Sequence, residues 1–152
     1  MVHILEREQL VPRRRSEVFP FFAEPRNLER LTPPELRFAI LTPGPIEMRA
    51  GAVIDYRLSL SGVPFRWRTL IEAFEPEDRF IDVQARGPYK TWRHLHEFVE
   101  VPGGTALRDR VAYELPFGPL GHVVHAAIVR RQLDGIFEYR RATIEGLFGR
   151  AF

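Results

Sequence analysis

The chain has 152 residues, 45% of them hydrophobic and 12% aromatic, contains no cysteine, and sets 22 basic against 20 acidic side chains. This length suits one domain, residues 1–152, that buries roughly two thirds of its unfolded surface. A net charge of only +2 argues against the unbalanced basic stripe of a nucleic-acid binder, the lack of cysteine excludes a disulfide framework and cysteine-ligated metal, and no apolar run reaches the roughly 18 residues of a membrane span.

The N-terminus, MVHILEREQLVPRRR, lacks the basic start and apolar stretch of a signal peptide, so a cytoplasmic location is expected. Alternating apolar and polar residues predict strands near 3–11, 36–42, 52–60, 65–74, 79–85, 91–100 and 105–115, punctuated by proline and glycine. After the first strand, SEVFPFFAEPRNLERL predicts one or two short helices, with Ser16 as N-cap before Val18, Phe19 and Phe22. A long helix is predicted from Pro119 to about Leu147, since proline fits a first helical turn.

Register carries the reading further, because side chains alternate faces and paired strands must agree on which face is inside. A four-residue loop of Ser61 to Pro64 pairs Leu60 with Phe65, Leu58 with Trp67, Tyr56 with Thr69 and Ile54 with Ile71. One face is then nearly all apolar, while Asp55, Arg57, Ser59, Arg66 and Arg68 lie on the other. Carried across the turn at Glu75–Asp78, the inner face takes Ala73 opposite Phe80, Ile71 opposite Asp82 and Thr69 opposite Gln84. The next two turns set Gln84 beside Trp92, Asp82 beside His94, Phe80 beside His96, and then Phe98, His96, His94 and Trp92 against Leu107, Asp109, Val111 and Tyr113. On the outer face, Glu97 and Arg108 should meet.

Asp82, His94, His96 and Asp109 thus converge on the inner face. Opposed β-carbons lie about 5 Å apart, which predicts Asp82–His94 and His96–Asp109 hydrogen bonds. The long helix closes this face with the stripe Val129, Leu133, Ile136, Arg140, Ile144 and Leu147. Its early apolar residues, Leu120, Val123, Val124, Ala127 and Ile128, lie about half a turn away, which predicts a bend or burial all round there. His122 and His125 are placed either at a cavity mouth or in solvent.

The stretches FFAEPRNLERLTPPELRF, GVPFRW, FIDVQARGPYKTWRHLHEF and DRVAYELPFGPLG resemble the bacterial polyketide cyclase/dehydrase and lipid-transport branch of the SRPBCC, or START-like, superfamily. The resemblance covers essentially the whole chain. It implies an α+β helix-grip fold: a curved antiparallel sheet of about seven strands wrapped on a long C-terminal helix, with two short helices after the first strand. It also implies a pocket for a small hydrophobic molecule, lipid- or polyketide-like, carried or sensed. Tyr56, Leu58, Trp67, Thr69, Phe80, Gln84, Trp92, Phe98, Tyr113, Leu133, Ile136 and Arg140 are its expected ligand-binding residues. The same rings filling a solid core is the alternative.

His94, His96, Asp82 and Asp109 admit three readings: a network that fixes strand register, groups for ligand recognition or for the acid/base catalysis of a cyclase or dehydratase, or a metal site. A His-x-His on a strand without a third histidine nearby argues against the metal, and no cofactor is implied. The resemblance allows one protein partner, since similar domains occur beside or fused to NAD-dependent epimerase-like proteins, which would make the chain an interaction module. Monomer and homodimer both remain open.

Overall fold

The computed structural model describes residues 1–150, except for the side chains of Leu120 and Val124. In chain order these residues form β1 (His3–Val11), α1 (Arg15–Phe22), α2 (Leu28–Leu31), β2 (Ala39–Ile40), β3 (Val53–Leu60), β4 (Val63–Glu75), β5 (Arg79–Arg86), β6 (Thr91–Val101), β7 (Gly104–Glu114) and α3 (Gly118–Phe148). Two 3-10 turns, Pro25–Asn27 and Pro34–Leu36, flank α2. The strands make one antiparallel seven-stranded sheet in the order β1-β7-β6-β5-β4-β3-β2. This is the expected helix-grip fold. No helix among the described residues is long and apolar enough to cross a membrane.

Helix α1 departs from expectation at its start. Its N-cap is Arg14, with no side-chain cap, and Ser16 lies inside the helix. What fixes α1 is instead its apolar face: Val18, Phe19 and Phe22 are buried against Phe80, Phe98, Leu107 and Ile144. The expected strand at 36–42 is only Ala39–Ile40, because Pro34–Leu36 is a 3-10 turn and Arg37 is left-handed, with φ of 48°. In the early part of α3, Val123 and Ile128 are exposed and so is Ala127, which rules out burial all round for these residues.

The β3–β4 hairpin closes on two residues rather than four. Ser61 and Gly62 both take positive φ, 51° and 80°, as a type I′ turn requires. The pairs are therefore Leu60–Val63, Leu58–Phe65, Tyr56–Trp67 and Ile54–Thr69. The slip is two residues, so every side chain keeps its expected face. Arg57 and Arg66 now oppose each other on the outer face. Like charges directly opposed are destabilising, so Arg57→Glu is expected to raise the melting temperature by about one to three degrees, a gain that high salt erases.

Between β4 and β5 two irregularities intervene. Arg68 pairs with Arg86 and Thr69 with Gln84, which leaves Ala85 as an extra residue, and Ile71 pairs with Asp82 while Ala73 pairs with Ile81, which leaves Glu72 extra. Beyond Glu72 the inward residue is Phe74, not Ala73, and Phe74 opposes Phe80. A bulge of this kind reverses faces locally. From Asp82 onward the expected register holds: Asp82–His94, Phe80–His96, His96–Asp109, His94–Val111, Trp92–Tyr113 and Phe98–Leu107. Glu97 does oppose Arg108, yet the arginine bonds Glu8 of β1 at 2.7 Å. The competition arises because β1 lies beside β7 and sets Glu8 opposite Arg108, a pairing between the two ends of the chain.

Candidate functional site

Two adjoining cavities, of about 80 and 150 Å³, lie between the sheet and the helices and share Leu28, Leu31, Phe38, Tyr56, Asp82, His96 and Arg140. An apolar cavity of about 150 Å³ takes a benzene ring, so together these lobes admit a larger molecule. The smaller lobe adds Phe22, Met48, Thr69, Ile71 and Phe80 to its wall. The larger adds Leu58, Trp67, Trp92, His94 and, from α3, Leu133, Ile136 and Phe137.

Strands β5, β6 and β7 deliver the polar cluster. His94 and His96, two residues apart on β6, point to the same inner face and stack with ring centroids 3.6 Å apart. Phe80 stacks on the other side of His96 at 4.2 Å. The imidazole Nε2 of His96 donates to Asp82 Oδ2 at 2.5 Å, and that of His94 donates to Asp109 Oδ1 at 2.8 Å. This pairing is crossed relative to expectation. The directly opposed contacts, His94 Nδ1 to Asp82 and His96 Nδ1 to Asp109, are 3.9 and 3.6 Å. The cause is reach: an imidazole Nε2 overshoots a neighbour whose β-carbon lies about 5 Å away and suits the diagonal one about 7–8 Å away. Arg140 of α3 completes the cluster, with a terminal guanidinium nitrogen 3.5 Å from Asp109 Oδ1 and its plane over the Phe22 ring.

Burial and pairing set the protonation of this group. Burial pushes the Asp82 carboxyl up, but the hydrogen bond from His96 and the adjacent imidazoles outweigh it and hold the acid below its ordinary value. Burial likewise opposes ionisation of Asp109, yet Arg140 and the His94 hydrogen bond hold it well below the carboxylate range. Burial, with His94 stacked alongside, lowers His96 to about 4 despite the two carboxylates. At neutral pH His96 is a neutral imidazole whose Nε2 proton is committed to Asp82. Its Nδ1 is buried and makes no hydrogen bond among the described residues.

Of the expected ligand-binding residues, Tyr56, Leu58, Trp67, Thr69, Phe80, Trp92, Leu133, Ile136 and Arg140 line the lobes. Gln84, Phe98 and Tyr113 do not. The Gln84 amide is spent on the turn between β5 and β6, donating to the Tyr89 carbonyl at 2.8 Å and accepting from the Tyr89 N–H at 3.1 Å. Phe98 is packed against Phe19, Phe22 and Phe80. Tyr113 is 1% exposed and stacked on His3. Of the four candidate acid/base residues, Asp82, His94 and His96 reach the lobes, while Asp109 stands behind His94 and Arg140. Neither His122 nor His125 lines a lobe; His122 bonds the Met1 carbonyl at 3.2 Å, and His125 packs on Phe117.

Sequence reasoning missed the front wall, where Leu28, Leu31 and Phe38 follow α1, and it missed Tyr89 and Phe137. The spacing of Leu28 and Leu31 was a signal for the α2 residues. Tyr89 sits in a turn, where no periodicity applies. The side-chain atoms of Asp82, His94 and His96 lie within 4.8 Å of one another, as metal ligands would. A cation held by Asp82, His94 and His96 would have to displace the proton shared by His96 and Asp82, in a cluster that already contains the Arg140 guanidinium. Elemental analysis of protein purified without a histidine tag is therefore expected to show far less than one metal equivalent.

No family model and no curated protein matches the chain. Solved structures do. The chain is similar to Ara h 8.0201, with a TM-score of 0.63 at 17% identity, over 96% of this chain and 99% of that one. It is similar to a START superfamily protein from Mycobacterium smegmatis, with a TM-score of 0.67 at 14% identity, over 95% and 99%. It also resembles part of a nucleoside-diphosphate sugar epimerase from Corynebacterium glutamicum, with a TM-score of 0.65 at 28% identity. That match covers 92% of this chain but 28% of the epimerase.

Proposed function

From a chain with the helix-grip fold of the START-like superfamily, we propose that this protein binds a small hydrophobic molecule between its sheet and α3, as a carrier or sensor in the cytoplasm. The observation that carries the reading is the pair of adjoining lobes, walled by aromatic and aliphatic side chains with one polar cluster at their shared boundary. Apolar walls supply affinity and a few placed polar groups supply orientation, the usual chemistry of a small-molecule site.

The test uses the protein's own chromophores. Its two tryptophans, Trp67 and Trp92, both line the larger lobe. Titration with N-phenyl-1-naphthylamine, a neutral apolar fluorophore, is expected to show saturable energy transfer from tryptophan at one probe per chain. Ile136→Phe, which narrows that lobe, is expected to weaken binding at least tenfold. Absence of saturable transfer in the native protein contradicts the reading.

A second reading rests on His96. Its Nε2 is fixed by Asp82, and its Nδ1 lone pair is buried in a residue that lines both lobes. A neutral imidazole oriented in this way is a general base, as a cyclase or dehydratase acting on an enolisable ligand needs. In that case His96→Gln abolishes turnover while ligand affinity stays within a few fold. The epimerase likeness supports a third reading, docking on an NAD-dependent epimerase-like protein. Affinity purification that recovers no such protein counts against it.

A further inference from the structure

Arg140 lines both lobes, with its side chain 11% exposed, yet its guanidinium makes no hydrogen bond among the described residues. Its one anionic contact, Asp109 Oδ1 at 3.5 Å, is an ion pair to an oxygen that already accepts from His94 at 2.8 Å. The Arg140 Nε and the Trp67 Nε1 are both buried without a hydrogen-bond partner among the described residues, and Trp67 lines the larger lobe. Buried donors left unfilled cost free energy that a bound acceptor recovers. A ligand that comes to rest against these donors is favoured when it brings lone pairs.

Charge decides which lone pairs. Two carboxylates held ionised, Asp82 and Asp109, face the single guanidinium of Arg140, so among these three groups one negative charge is in excess. A ligand carboxylate would add a second in a low-dielectric site. An ammonium would suit the net charge, but it offers no lone pair, meets the guanidinium and leaves both donors unfilled. A neutral carbonyl meets both demands.

We propose that the molecule taken by this cavity is a neutral, apolar carbonyl compound, a ketone, quinone or ester, whose oxygen accepts from Arg140 and, in the larger lobe, from Trp67. The inference rests on the ligand-binding reading above and adds the chemistry of the ligand's polar end.

The test compares probes of one ring system: 2-acetylnaphthalene, 2-ethylnaphthalene, 2-naphthoate and 2-naphthylmethylamine, titrated calorimetrically at neutral pH. The ketone is expected to bind about tenfold or more tightly than the hydrocarbon, and more tightly than either ion, because a hydrogen bond to a charged donor is worth a factor of this size. Arg140→Met, confirmed folded by its near-ultraviolet dichroism, should reduce the ketone's advantage over the hydrocarbon to within about twofold and leave hydrocarbon binding in place. Arg130→Gln, on the exposed side of α3, should preserve the advantage. Should Arg140→Met fail to fold, Trp67→Phe serves in its place, with a partial loss expected. Hydrocarbon binding as tight as ketone, or naphthoate or amine binding tightest, overturns this inference and leaves the cavity reading standing. Binding of none of the four overturns both.

Discussion

Asp109→Ala is expected to destabilise the protein by about 3 kcal/mol or more, far beyond an ordinary surface substitution. Asp109 is 12% exposed and holds two partners, His94 through a hydrogen bond at 2.8 Å and Arg140 through an ion pair at 3.5 Å. Removing it strands a buried guanidinium with no other anionic contact on β7 or α3, and it deprives the His94 Nε2–H of its acceptor. Equilibrium unfolding in guanidinium chloride measures the loss. Two comparisons separate the mechanism from simple loss of a side chain. Glu8→Ala breaks an outer-face pair with Arg108, about half exposed on both sides, and should cost less than about 1 kcal/mol. The double variant Asp109→Ala/Arg140→Met should be more stable than Asp109→Ala alone, because the stranded charge is gone. An Asp109→Ala loss below about 1 kcal/mol contradicts the network described here.

Acidification is the second large effect, and its sign follows from three groups that agree. His96 has a folded value of about 4, below its ordinary 6.5, so the unfolded chain takes up a proton that the folded one refuses. Its contribution is complete above about 6.5 and is lost as pH falls toward 4. Asp82 and Asp109 are also lowered, so their contribution is present above the ordinary carboxylate value of 3.8 and lost below it. Every step runs the same way: stability falls with pH, first through the histidine and then through the acids. Between pH 7 and 4.5 the loss assigned to His96 is on the order of 2 kcal/mol. His96→Gln should flatten that limb and leave the steeper fall below pH 4. Stability that rises on going from pH 7 to 5 would mean that the carboxylates win and His96 is held as an imidazolium.

Much of this was legible because β-strand faces survive errors of even size. The β3–β4 loop is two residues shorter than its sequence suggests, yet Tyr56, Leu58 and Trp67 still face inward, since the slip equals the side-chain period. The β6–β7 register could be read from one Pro-Gly-Gly turn and alternating apolar residues, and it set His96 opposite Asp109 correctly. Where local rules end, so does the reading. The irregularity at Glu72 turned Phe74 inward with no turn residue to announce it. The diagonal His–Asp bonds depend on side-chain reach, which pairing alone does not encode. The strand position of Gln84 faces inward and predicts a cavity residue, whereas Tyr89, five residues ahead in the following turn, claims its amide. The front wall of the lobes comes from α2 and the loops around it, and their placement against α3 is a tertiary matter that no periodicity in 28–38 records.

Whether a ligand enters the space between the sheet and α3 is decided by a crystal structure of the protein soaked with 2-acetylnaphthalene. The naphthalene ring is expected in the larger lobe, against Trp67, Trp92 and Leu133, with the carbonyl oxygen within hydrogen-bond distance of the Arg140 guanidinium. A ligand found only on the surface, with the space between the sheet and α3 closed by its own side chains, would contradict the ligand-binding reading.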